Sequence, residues 1–279
     1  WQVFGAGGLL VVSLAYFIIF LGAAFIVHDR LKLKMEGSLL FCVAIAVVPL
    51  VVYSILKLYN FWPNQHEYRD FYIWIKGRWI ILEICTIAVA LPLLLKTKFP
   101  FILFLIGFCL YFMSMDIVPI IFGENNISWT TRAHVSKVFG AAMLLTAYIV
   151  HLLKGRAFAF WLYLFGLMTL LSGFSVFYND DTLQLIVLLV IHILMLLLAV
   201  FLRQPVFMVF GVVGISEFLS RVSYIWFKDS PLFPFSLTLV GVALLACGIV
   251  YQKHSKKIDT VLSSHTPSFL AALRPREDV

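Results

Sequence analysis

The chain has 279 residues, 62% of them hydrophobic and 13% charged, with a formal net charge of +7. A water-soluble domain carries about a quarter charged residues, so this composition excludes an ordinary soluble fold. The Lys and Arg gather at the ends of apolar stretches, which fits basic loops beside an anionic membrane face and gives no reason to expect a nucleic-acid partner.

Nine apolar runs follow one another along the chain: 3–27, 37–59, 78–96, 99–121, 134–153, 157–178, 182–202, 205–227 and 232–251. A hydrocarbon core of about 30 Å takes about 20 helical residues at about 1.5 Å each. Backbone polar groups in lipid must bond within their own segment, so runs of this kind have to be helices. The expected fold class is all-α, a polytopic membrane helical bundle of about nine transmembrane helices over 1–253 with a basic cytoplasmic tail over 254–279. Run one is too long, and lacks the basic leader, for a cleaved signal peptide. The chain starts at Trp1 instead of Met, so residues are expected to precede it.

Most connections are two to nine residues, which predicts antiparallel neighbours in space. The longer segment 60–77 interleaves Trp62, Tyr68, Phe71, Tyr72 and Trp74 with His66, Glu67, Arg69 and Asp70. That mix suits an amphipathic helix in the interface, serving as an aromatic anchor or as a lid over a site. Asn126 opens an N-x-S sequon in the connection after run four, a pattern common by chance. Gly211, Gly214 and Ser220 mark a packing face on run eight. An odd number of runs leaves one helix over from a two-fold duplication, which counts against repeat-built transporter folds. Cys42, Cys85, Cys109 and Cys247 all lie within runs and form no CxxC pair, so they read as small apolar residues rather than a disulfide frame or metal site.

Connections after odd-numbered runs, with the tail, hold 13 Lys and Arg; those after even-numbered runs hold 7. The positive-inside bias then places the N-terminus outside and the tail in the cytoplasm. Asn179, Asp180 and Asp181, between runs six and seven, carry no positive charge and agree with an outer position.

Charges inside the runs are costly and therefore the best guide to function. With this orientation Glu83, Asp116 and Arg221 fall in one outer third of the bilayer, on runs three, four and eight. Glu217 sits one turn from Arg221 and can pair with it, while His134 and Lys137 enter at a similar level on run five. His192 stands at the centre of run seven, where an imidazole needs a hydrogen-bond partner, and His151 near the cytoplasmic end of run five. Runs three and four share a short connection, which makes Glu83 and Asp116 the closest expected pair. Two readings fit. The polar groups cross-link helices, each charge met by its neighbour, or they form one site open to the outer face. An excess of acids suits a cation or proton path; Arg221 and Lys137 could meet an anionic headgroup or solute.

Enzyme signals are poor. His66-Glu67 lacks the second metal histidine, no glycine-rich phosphate loop follows a strand, and His192 has no second axial ligand at matching depth. No lysine stands at mid-run for a retinal Schiff base. No metal and no cofactor are expected.

Four blocks, Tyr68-Arg69-Asp70-Phe71-Tyr72, Phe112-Met113-Ser114-Met115-Asp116, Phe158 to Gly166 (FAFWLYLFG) and Phe227 to Phe235 (FKDSPLFPF), resemble a family of polytopic bacterial inner-membrane proteins of the domain-of-unknown-function type. The resemblance runs through most of the chain. It implies a multi-pass protein of a bacterial cytoplasmic membrane and carries no activity.

The sequence thus leads to a transporter-like or solute-binding inner-membrane protein. Its partners would be membrane lipids and a small solute, ion or proton. The candidate site is Glu83, Asp116, Glu217, Arg221, Lys137, His134 and His192. The rivals are a non-catalytic membrane scaffold or complex subunit, and an intramembrane enzyme acting on lipid-linked material with Glu83 or Asp116 as acid or base.

Overall fold

The computed structural model describes residues 5–62, 79–122, 128–175 and 182–227, with scattered positions between 234 and 253. Every element among the described residues is helical. Eight helical spans are long and apolar enough to cross a membrane: α1 (Gly5–Phe25), α2 (Lys34–Leu58), α3 (Trp79–Thr97), α4 (Ile102–Asp116, which reaches the needed length only with the short helix Val118–Phe122 that continues it), α5 (Trp129–Lys154), α6 (Arg156–Ser175), α7 (Thr182–Leu202) and α8 (Pro205–Phe227). Most of run nine, most of 60–77, the sequon at Asn126, the 179–181 connection and the tail lie outside the described residues.

Two helices depart from a simple rod. A π-helical turn, Ile26–Arg30, extends α1. A turn at Ile117 interrupts the fourth span before a short helix, Val118–Phe122, continues it. Pro119 explains the interruption, because it lacks an N–H and its ring crowds the carbonyl four residues back, that of Met115. Asp116 is therefore the last residue before a break. The fifth span also differs from expectation. It begins at Trp129 rather than 134, since Ser128 caps it by accepting the Thr131 N–H at 3.0 Å.

The described helices form two compact units. The first comprises residues 1–148 and 157–176, the second 149–156 and 177–279. In the first, α1 packs on α2, α2 on α3 and α3 on α4. A column of rings joins α4 to α6, with Phe104 and Trp161 centroids 5.0 Å apart and Phe104 and Phe165 5.5 Å apart. Small residues bring α5 and α6 into close contact. A side chain at Gly140 would collide with the Leu170 backbone, and one at Gly173 with the Ala133 carbonyl. In the second unit α7 packs on α8 through Gly211 and Gly214.

The outer surfaces of these helices are apolar. α1 buries only Ser13 and Ala24, while Val11, Ile18 and Ile19 are 68%, 59% and 61% exposed. A water-soluble monomer rarely shows so continuous an apolar face; lipid is its natural solvent. Embedded hydroxyls answer the same medium by bonding back into their own helices, as Ser54 does to the Leu50 carbonyl at 2.6 Å. The chain is a multi-pass membrane protein.

Candidate functional site

In the first unit the seam between α3 and α4 carries the membrane-embedded acids. Glu83, Thr86 and Ala90 recur at three- and four-residue intervals on α3 and are buried together, which turns one face of that helix inward. The turn through Lys98 and Pro100 folds α4 back against that face. Glu83 and Asp116 consequently meet, and their carboxyls hydrogen-bond to each other. Deeper along the seam the Thr86 hydroxyl donates to the Leu82 carbonyl at 2.6 Å, and the same side chain bonds with the buried thiol of Cys109.

Glu83 is 7% exposed, and its Oε2 has no hydrogen-bond partner among the described residues. Asp116 is half-buried at the end of α4. From the first turns of α5 the Arg132 guanidinium is near enough for its charge to act on Asp116, and it rests 5.6 Å from the centre of the Trp129 ring. Ser136, one turn further along α5, is buried. Two carboxyls and one guanidinium, brought by three helices to one end of the unit, are the electrostatic centre of its apolar body.

The remaining sequence candidates are placed differently. Lys137 lies in the α5–α6 seam, its ammonium 5.2 Å from the centre of the Phe174 ring. His134 is on the exposed side of α5. Glu217, Arg221 and His192 belong to the second unit. Arg221 donates to Glu217 Oε1 at 3.4 Å across one turn of α8, and both side chains are partly exposed, 34% and 46%. His192 is buried and its Nδ1 bonds the Leu188 carbonyl of its own helix at 2.8 Å, while the ring fills the notch over Gly214. That is the partner the imidazole needed, and it comes from the backbone. His151 is buried near the end of α5.

Arg132 is the member of the cluster that sequence reasoning passed over. An apolar run that starts at His134 leaves Arg132 in the connection. The cap at Ser128, followed by Trp129, is the signal that would have moved the helix start back and put Arg132 on it.

No protein-family model, curated protein or solved structure matches the chain. Function has to be argued from the side chains.

Proposed function

We propose that the chain is a transporter-like or solute-binding protein of a bacterial inner membrane, and that Glu83, Asp116 and Arg132 form its polar site, with a proton or small cation as the cargo. The observation that carries this reading is Glu83. Its carboxyl is enclosed within a span beside that of Asp116, and its Oε2 has no hydrogen-bond partner among the described residues. An unsatisfied polar atom in an apolar medium is expensive, and a purely structural cross-link would satisfy both oxygens. Two carboxyls that bond to each other hold one proton between them. Arg132 offers a fixed positive charge when that proton leaves, or a cation could take the proton's place. The same reading holds nine spans, the N-terminus outside, and the cluster in the outer third of the bilayer, on the strength of the basic-residue asymmetry.

The test is flux. In proteoliposomes with an imposed pH or cation gradient, dye-reported flux through the wild-type chain should fall at least tenfold in Glu83→Gln and in Asp116→Asn. Both neutral variants should keep or raise the melting temperature, because a neutral amide is easier to bury than a charge. Wild-type flux no greater than that of empty liposomes, or unchanged flux in folded variants, would remove the transport reading.

One observation favours a scaffold as the second reading. The Glu217–Arg221 pair lies within a single turn of α8, where opposite charges offset each other locally. A scaffold would show no flux and lose stability, not activity, on substitution.

A further inference from the structure

We propose that the end of the first unit where α1 meets α2 and α3 meets α4 is a binding surface for the phosphate of an anionic phospholipid. The two connections are held side by side by Asp29, whose carboxylate bonds Lys96 Nζ at 2.6 Å and His28 Nδ1 at 2.6 Å. Lys96 is also seated on the Phe25 ring, 4.1 Å from its centre. Lys96 is thus occupied. Among the described residues no acid pairs with Arg30, Lys32, Lys34 or Lys98: all four are exposed, and the only other acid in the two connections is Glu36. Four exposed cations gathered on one rim are complementary to a phosphodiester.

One further feature selects a lipid headgroup over a soluble anion. Leu31, Leu33 and Met35 alternate with the cations and are 59%, 48% and 67% exposed. A free phosphate has no use for them, whereas acyl chains beneath a headgroup do. The backbone makes two of these cations testable, in a conformation that it also gives Asn60 (φ 58°) and Arg203 (φ 53°). Lys32 has φ 59° and Lys98 φ 52°, the left-handed conformation that glycine takes freely and other L residues resist. At such helix ends glycine is the usual choice, and Gly155 fills that role after α5 with φ 88°. At positions 32 and 98 the chain accepts the strain and places an ammonium at each.

The lysines lend themselves to a sharp test, because glycine removes the charge and relieves the strain together. The full-length protein in neutral detergent is challenged with phosphatidylglycerol, phosphatidylcholine or glycerol phosphate at equal phosphate. Melting temperature and lipid retention by native mass spectrometry are read. Phosphatidylglycerol should be retained and raise the melting temperature; the other two should do neither. Lys32→Gly and Lys98→Gly should each hold or raise the melting temperature without lipid, and each should weaken phosphatidylglycerol retention about fivefold. Lys32→Arg should retain it. Undiminished retention in the Lys32→Gly/Lys98→Gly double variant would overturn the proposal, and so would stabilisation by glycerol phosphate equal to that by phosphatidylglycerol.

Discussion

At His192 the ring lies over Gly214, so that a Cβ added there would overlap it. Nδ1 is satisfied by the Leu188 carbonyl, and the histidine's work in this structure is to fill and polarise a helix seam. Gly214→Ala should therefore cost about 1–3 kcal/mol, the range for overpacking a tight contact. His192→Ala should restore much of it, since the smaller side chain vacates the space. Thermal melts of the two single variants and the double variant measure this coupling. Additive losses would mean that the ring and the glycine do not confront each other. Glu217 and Arg221 teach a related lesson. Their spacing of four residues made the pair readable from sequence, but not its setting. Partly exposed on the flank of α8, it does not justify the several kcal/mol of an enclosed ion pair. Helix-surface pairs of this spacing contribute about 0.3–0.5 kcal/mol.

Among the elements, the eight described helices follow the apolar runs closely because lipid leaves the backbone so little choice. Run 205–227 coincides with α8, Pro205–Phe227, where a proline at the first helical position costs no hydrogen bond. The meeting of Glu83 with Asp116 was also legible, since the short α3–α4 connection forces those helices together. Rotation about each helix axis was not. The ring column between Phe104 on α4 and Phe165 on α6 joins helices separated by a whole span, and nothing in the apolar pattern specifies which faces meet. Arg132 escapes the apolar pattern for a second reason: polar residues in a first helical turn look like loop when only hydrophobicity is counted. Its position depends on the cap. Ser128→Ala should destabilise the start of α5 by about 1 kcal/mol, and Ser128→Gly by only a few tenths. If α5 positions Arg132 for the acid pair, Ser128→Ala should also reduce the flux proposed for that site. Amide hydrogen exchange at Thr131 and Arg132 reports the fraying directly; unchanged protection in Ser128→Ala would show that the cap does not hold the turn.

For the whole molecule, the number of crossings decides which side of the membrane each end occupies, and the eight described spans alone would return the C-terminal end to the side of the start. A ninth crossing by run 232–251 would change that parity. Its described positions are helical, and the Thr238 hydroxyl bonds the Pro234 carbonyl at 2.8 Å. The basic residues speak for the same parity. With nine crossings, the 13 Lys and Arg of the odd connections and the tail share one side and the other 7 the opposite one, as the positive-inside bias requires. With eight crossings, the five basic residues of the tail (Lys253, Lys256, Lys257, Arg274 and Arg276) would move to the other side, leaving 8 against 12 and reversing the preferred orientation. The two counts therefore predict different maps. A phosphatase fused after Asp180 should be active, reporting the outer compartment, while one fused after Lys257 should be silent and a fluorescent reporter there bright, reporting the cytoplasm. Matching signals at the two positions would mean that 232–251 does not cross. An active phosphatase after Lys257 with a silent one after Asp180 would invert the molecule and put the Glu83–Asp116 pair on the inner side.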